Sequence, residues 1–517
     1  MYTYNLGALF TNVLSHHSDR TALNYLDKKV SYEELDGLVS SLCSLLLSEG
    51  CKRGDVIAIG NSKRCLSYAL MLSCLRLGIA YVNIDLASPA ARLESILQLS
   101  TVSLLFYDDV AYEKNMSLLA LENSCNVFLL DADVLPSASI DDLKQHQELM
   151  RQVDGSSIAY IMFTSGSTGI PKGVAVTHQN VLHFIDWGKS YFNITEKDNF
   201  ANLSPMYFDN SVFDFYIGLF SGASLTPVPR ELLTTPYDLV PFVSKMGCSI
   251  WFSVPSLLIY LMAMKTMTLE LLVGLRTIVF GGEGYPKVEL KKLYDLFMPG
   301  VSLVNVYGPT ECTCICSAHT LSDKDFVDIS GLPTLGKLNP NFDYKILDEQ
   351  DSETLTGELC LIGPSVAAGY FNDLERTSVA FHTLTEPTRF MKRMYRTGDL
   401  VREENGRLYF VGRKDNQIKH MGYRIELEEI EQALIKSSKV SQSAVIYHRV
   451  NTAYGKLVAF VACSVNVESK FLLDGLAALL PDYMIPQHII IMDQLPKNPN
   501  GKIDRSRLTS LLEDLKH

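Results

Sequence analysis

At 517 residues the chain is longer than one compact core organises, so two or more domains are expected. Its 47% apolar and 20% charged residues can bury a large core, and a net charge of −12 without a basic run argues against a nucleic-acid-binding surface, which needs clustered Lys and Arg. Eleven cysteines without framework spacing imply reduced thiols, and neither a leader pattern nor a window of about eighteen apolar residues occurs, so a cytoplasmic protein without membrane insertion is expected.

Residues 1–150 alternate helical and strand patterns. Ser31-Tyr-Glu-Glu34 reads as a capping box, followed by Leu38, Leu42, Leu45 and Leu46 at helical spacing. Asp55–Ile59, Ile79–Asp85 and Val102–Phe106 read as strands, with a helix ending near Leu77-Gly78. Such β-α units predict a mostly parallel sheet covered on both faces.

Ser157–Phe163 and Gly173–Thr177 read as two strands, and the segment between them is rich in hydroxyls and glycines. Gly166, Gly169 and Gly173 permit close approach of an anion to the main chain; Thr164, Ser165, Ser167 and Thr168 offer donors, and Lys172 adds a charge. The spacing is not that of a Walker loop, which ends in Gly-Lys-Ser/Thr.

Beyond a helix starting at Thr177, Leu203–Ser211 is irregular and leads into the apolar run Val212–Phe220. Asp209 at its mouth is either a helix N-cap or a counter-ion for a ligand amine. Trp251–Pro255, Thr277–Glu283 and Val301–Glu311 read as strand ends turning into loops, where open α/β sheets bind ligands. Glu311 is a candidate magnesium ligand or, alternatively, an exposed loop residue. Cys312, Cys314 and Cys316 alternate as if on one face of a strand, but no fourth ligand lies nearby and a zinc site is not expected.

Short strands and turns follow, including Gly357–Ile362, Tyr395–Leu400 and Gly406–Val411. The polar turn near Asp415 marks a boundary, after which a helix around Leu427–Glu431 and strands Ser443–Tyr447, Leu457–Cys463 and Ile489–Met492 form a small α+β unit. Asn500-Gly501 is a tight-turn signal that presents Lys502 at a loop tip.

Taken together, Phe163-Thr-Ser-Gly-Ser-Thr-Gly-Ile-Pro-Lys-Gly173, Tyr307-Gly-Pro-Thr-Glu311, Tyr395-Arg-Thr-Gly-Asp399 and Gly412-Arg-Lys-Asp415 resemble, in order, the motifs of the adenylate-forming (ANL) superfamily. Gln417–Glu431 and Asn498–Asp504 resemble the branch that loads carrier proteins: stand-alone D-alanine:carrier protein ligases and free-standing adenylation domains of nonribosomal peptide synthesis. The resemblance implies an α/β fold whose large N-terminal AMP-binding domain, residues 1–413, contains α/β subdomains and a small β-barrel, with a mobile α+β domain over 414–517. It implies ATP-dependent activation of an amino acid to aminoacyl-AMP, with release of pyrophosphate, and thioesterification of a carrier protein's phosphopantetheine thiol. ATP and Mg2+ are the implied cofactors.

Residue by residue, the resemblance implies that Thr164, Ser165, Gly166, Ser167, Thr168 and Lys172 hold phosphates, while Tyr307 stacks on adenine with Asn305 at its edge. Thr310 would touch the α-phosphate, Glu311 hold Mg2+, and Asp399 take the ribose hydroxyls with Arg413 nearby. Lys502 would bridge the substrate carboxylate and the α-phosphate, Asp415 would be the hinge, and Gly422 would line the thiol tunnel.

The implied amino-acid pocket comprises Asp209, Asn210, Phe213, Phe252, Val279, Gly281, Val306, Cys314 and Ile315, with Lys502. Asp209 would pair with an α-amino group, since an unpaired buried ammonium is costly. The apolar walls predict a small or medium neutral side chain. Gly281 stands where D-alanine ligases carry cysteine, a departure expected to open space; D-alanine:D-alanyl carrier protein ligase and acyl- or aryl-CoA ligase remain the alternatives. The chain ends fifteen residues after Lys502, so the carrier protein is expected to act in trans.

Overall fold

A computed structural model describes residues 3–514 apart from 114, 117, 118, 120–124, 386–391, 451–454, 464, 466 and 499–502. It divides into two compact units. The first contains residues 1–86, 97–162 and 173–412; the second contains 87–96, 163–172 and 413–517.

In the first unit, the Ser31 capping box is formed in full and starts helix Tyr32–Ser48. Helix Cys65–Leu77 ends on Gly78, whose left-handed φ of 71° suits a residue without Cβ. The helix predicted after Thr177 runs from His178 to Tyr191 with its own capping box.

Two large sheets carry the unit. One has seven strands in the order 369–370, 172–177, 158–164, 80–84, 56–60, 104–107 and 126–129. Its members Val56–Gly60, Ala80–Ile84 and Leu104–Tyr107 pair in parallel, as the β-α alternation predicts, and Gly369–Tyr370 adds an antiparallel edge. The other has nine strands, with Ser302–Tyr307, Thr277–Gly281, Ile250–Ser253, Asn199–Asn202, Ser224–Pro227 and Thr21–Asn24 adjacent and parallel, flanked by antiparallel strands at both edges. Parallel strands buried on both faces account for runs such as Thr277-Ile-Val-Phe-Gly281, buried at every position. The small β unit is a five-stranded antiparallel sheet built on Thr356–Ile362 and Lys392–Glu404.

The apolar run Val212–Phe220 contains a π-helical segment, Phe213–Gly218, with wider turns than an α-helix, in which every residue is buried. One continuous core joins this segment to both large sheets through Tyr81, Tyr160 and Tyr216; the hydroxyls of Tyr81 and Tyr216 lie 2.7 Å apart.

In the second unit, strands Val440–Arg449, Gly455–Cys463 and His488–Met492 form a three-stranded sheet. Helix Leu427–Ile435 packs on one face, and the C-terminal helix Arg505–Asp514 lies over the other. A two-stranded hairpin, Gln417–His420 with Tyr423–Glu426, precedes them; its turn holds Gly422 at φ 86°.

Candidate active site

One group of the expected site residues lies on parallel strands near where the sheet hands over to irregular chain. Phe252 is the next-to-last residue of strand Ile250–Ser253, Val279 lies in Thr277–Gly281, and Val306 in Ser302–Tyr307. These residues join Phe213, Cys314 and Ile315 in one apolar cluster. Phe213 meets Phe252 edge-on at 5.2 Å and Phe192 at 5.1 Å between ring centres. Asp209 and Asn210 are half-buried beside this cluster in sequence.

Asp209 is not an N-cap in the usual sense: its backbone is already helical, and its carboxylate caps no amide of the following turn. Instead Oδ2 accepts a hydrogen bond from Thr310 Oγ1 at 2.6 Å, across about a hundred residues of chain. Local pattern favours the cap because Asp precedes a helical segment; the tertiary contact takes precedence.

Two expectations are corrected. Gly281 does not open space, because a Cβ there would lie 2.4 Å from the Val306 carbonyl oxygen and 2.7 Å from Val306 Cγ2. The glycine serves close strand pairing with Val306, its register partner. Nor do Cys312, Cys314 and Cys316 alternate along a strand. Thr310–Cys312 is a 3-10 turn, Thr313 and Cys314 are left-handed at φ 61° and 71°, and the strand starts only at Ser317. Thr313 Oγ1 donates to the Ser365 carbonyl at 2.7 Å, which holds this strained turn. Burial, then the charge of Asp209, raises the Cys314 thiol well above its ordinary range, so it remains an inert, protonated wall.

Glu311 is fully buried rather than an exposed loop residue. Its Oε1 accepts from the Tyr370 hydroxyl at 2.9 Å, a partner that sequence reading missed. The signal was slight, a tyrosine after Gly369 at the edge of a short strand.

Elsewhere in this unit, Tyr307 donates its hydroxyl to Asp399 Oδ2 at 2.6 Å. Burial and the charge of Asp399 push the Tyr307 phenol far above its ordinary range, so it stays a donor. Thr397 Oγ1 accepts from the Asp399 amide at 3.0 Å and donates to the Leu359 carbonyl at 2.7 Å, fixing the backbone of Asp399. Asn305 donates from Nδ2 to the Thr334 carbonyl at 2.8 Å.

The glycine- and hydroxyl-rich loop lies in the second unit. Gly169 turns it at φ 75°, with its amide on the Gly166 carbonyl at 2.9 Å. Ser165 Oγ donates to the Arg424 carbonyl at 2.7 Å, and the Gly166 amide donates to Glu429 Oε2 at 3.2 Å. Glu429 also accepts from Arg92 at 2.7 Å; both side chains are nearly buried. Thr164 Oγ1 is buried with no hydrogen-bond partner among the described residues. An orphan hydroxyl and an amide that already accommodates a carboxylate suit an oxyanion ligand.

Arg413 grips Asp415 with two hydrogen bonds, Nε to Oδ1 at 2.7 Å and Nη2 to Oδ2 at 2.5 Å. Burial resists ionisation of Asp415, but the Arg413 contacts outweigh it and hold the carboxyl below its usual range. Lys502 lies outside the described residues, while Lys497 and Ile503 bridge in antiparallel fashion on either side of it. Arg505 makes a bidentate pair with Glu431, at 2.7 and 3.0 Å, that anchors the start of the C-terminal helix.

Among the described residues no group of three or more His, Cys, Asp and Glu gathers as a metal site. Magnesium bound through one carboxylate and substrate phosphates needs no such cluster, so Glu311 fits that mode.

The model for the AMP-binding enzyme family matches residues 10–371, and that for the AMP-binding enzyme C-terminal domain matches residues 429–502. The chain is 32% identical over 506 residues to the L-proline--[L-prolyl-carrier protein] ligase of Pseudomonas fluorescens, covering 97% of this chain and 98% of that one. It is 30% identical over 504 residues to the D-alanine--D-alanyl carrier protein ligase of Bacillus anthracis, covering 95% and 96%. It is 34% identical to a part of surfactin synthase subunit 2 of Bacillus subtilis, of whose length it spans only 13%. A solved NRPS protein containing adenylation and PCP domains matches with a TM-score of 0.81 at 26% identity, over 98% of this chain and 84% of that chain. Matched by the family model over most of its length, and by these relatives nearly end to end, the chain belongs to the AMP-binding, adenylate-forming enzymes.

Proposed function

We propose that the enzyme activates a small or medium neutral α-amino acid and transfers it to the phosphopantetheine thiol of a separate carrier protein. The observation that supports this most directly is the Asp209 carboxylate, fixed by Thr310 and followed in sequence by the Phe213 and Phe252 walls. A half-buried carboxylate near a cluster of apolar side chains suits an ammonium group, and apolar surroundings suit a neutral side chain. The family names of the proline and D-alanine ligases fit the same class.

In the first step a substrate carboxylate oxygen attacks the α-phosphorus of ATP, and pyrophosphate leaves. Both partners carry negative charge, so positioned cations are required. Lys502 would bridge the carboxylate and α-phosphate, and Thr310, already on Asp209, would reach the α-phosphate. Lys172 with the Thr164–Thr168 loop would hold the β- and γ-phosphates, with Thr164 Oγ1 as a ready donor. Magnesium, held by Glu311, would supply charge neutralisation at the phosphates. Tyr307, Asn305, Asp399 and Arg413 would seat adenosine. In the second step the carrier thiol attacks the acyl carbon and AMP leaves. A hinge at Asp415, at the start of a domain over 414–517 that follows one over 1–413, would exchange Lys502 for the Gly422 hairpin.

Amino-acid-dependent ATP–pyrophosphate exchange across the L- and D-amino acids tests the proposal, with Lys502→Ala as control. Exchange with a neutral amino acid, reduced about a hundredfold to a thousandfold in the variant, is expected. Activity confined to fatty or aryl acids would remove Asp209 from its role.

A further inference from the structure

Segment Asn202–Asp214 carries Asp209, Asn210 and Phe213, and several of the contacts that hold it come from the seven-stranded sheet and from the helix that follows its strand Val56–Gly60. Lys63 lies just beyond strand Val56–Gly60 of the seven-stranded sheet. Its Nζ donates to three carbonyls at the ends of two strands of the nine-stranded sheet: Asn202 at 2.8 Å, Leu203 at 2.8 Å and Val228 at 3.2 Å. The Lys63 amide donates to Asn61 Oδ1 at 2.9 Å, Asn61 donates to Asn83 at 3.0 Å, and Asn83 donates to the Met206 carbonyl at 3.1 Å. Tyr68 donates to Asn202 Oδ1 at 2.7 Å, and Asn202 donates to Asp214 Oδ2 at 3.1 Å. The segment is therefore gripped at 202–203, at 206 and at 214, on both sides of Asp209.

Lys63 itself adopts φ 65°, a left-handed conformation that costs an ordinary side chain energy and persists only where surroundings over-determine it. Burial draws its ammonium down, against the opposing pull of Asp214, and burial likewise holds the Asp214 carboxyl well above its ordinary range. A methionine, one atom shorter, would occupy most of this space without that desolvation cost. What only a cation at this point supplies is simultaneous donation to three converging carbonyls, where regular strand pairing gives way to the irregular chain leading to Asp209.

We propose that Lys63 is a positioning residue for amino-acid recognition, setting the height of the Asp209 segment above the sheet so that its carboxylate meets the substrate ammonium. The inference rests on the reading of Asp209 as the amine partner. Lys63 touches no reacting atom, and its effect is confined to the amine end of the substrate.

The test measures ATP–pyrophosphate exchange for Lys63→Met and Lys63→Arg. KM for the preferred amino acid is compared with KM for ATP, and the amino acid with its analogue lacking the amine. Lys63→Met is expected to raise the amino-acid KM by about tenfold to a hundredfold and to erode the preference over the amine-free acid, with KM for ATP within about twofold. Lys63→Arg should recover part of the loss. Should Lys63→Met not fold, Asn83→Ala, which releases the Met206 carbonyl, is judged by the same split. A folded variant in which neither KM moves, or both move equally, overturns the proposal. Wild-type exchange with amine-free acids alone would instead defeat the amino-acid reading and the role of Lys63 with it, a result recognisable before any variant is made.

Discussion

Thr310 and Asp209 share a hydrogen bond of 2.6 Å, so a residue assigned to the phosphate end of the substrate directly touches one assigned to its amine end. The two ends of an aminoacyl adenylate would then be registered by one contact. Asp209→Asn is expected to lower kcat/KM for the amino acid roughly tenfold to a hundredfold, as loss of a charge-assisted contact typically costs about 1.5–3 kcal/mol. KM for ATP should change little. A comparable loss on both substrates would place Asp209 in the scaffold instead.

Tyr370→Phe removes the hydroxyl that donates to the fully buried Glu311. The carboxyl group loses a hydrogen bond that helps orient it, so the Mg2+ concentration for half-maximal exchange should rise several-fold, with a stability loss of about 1–3 kcal/mol. Titration of activity with Mg2+ reads the first and urea unfolding the second. An unchanged Mg2+ dependence would separate Tyr370 from the metal site.

Gly281→Cys copies the residue that D-alanine ligases carry, and the Val306 carbonyl leaves it no room. Strand separation is the only relief, and overpacking of this kind costs about 1–3 kcal/mol. The variant should melt lower than the wild type and should not gain activity with D-alanine. A stable variant with D-alanine exchange would show that the strands yield easily.

His178 is fully buried, accepts the Leu6 amide on Nδ1 at 3.0 Å, and is held by burial at about 3, below its ordinary 6.5. Only the neutral ring can accept that bond. Above pH 6.5 the group is neutral whether folded or unfolded, and stability is unaffected by it. As pH falls below 6.5 the unfolded chain binds a proton that the fold refuses, so stability declines by about 1.4 kcal/mol per pH unit until near pH 3. Urea unfolding between pH 7 and about pH 4 should show this slope, reduced in His178→Gln. Parallel slopes for both proteins would mean that other groups govern the acid limb.

The motifs and the strands that precede them were readable because each is local. Ser31 and Thr177 announce their helices by capping chemistry, and Thr277–Gly281 announces a buried strand by composition. What sequence could not supply was how distant segments interlock. The Thr310 contact that displaces the N-cap reading of Asp209, the Tyr370 hydroxyl on Glu311 and the Val306 carbonyl beneath Gly281 all depend on register between elements far apart in the chain. The alternation of Cys312, Cys314 and Cys316 failed for a different reason. Two left-handed residues in succession have no signature when neither is glycine.

The π-helical segment Phe213–Gly218 also bears on how such a pocket changes over time. A π-turn amounts to one residue more than an α-helix needs, and removing that residue restores regular pitch. Each residue of an α-helix advances the chain by roughly 100°, so a single deletion after Phe213 would rotate Asp209, Asn210 and Phe213 together relative to the chain that follows Gly218. A one-codon deletion would therefore re-aim the amine end of the pocket in one step, which no single substitution along the same segment could do.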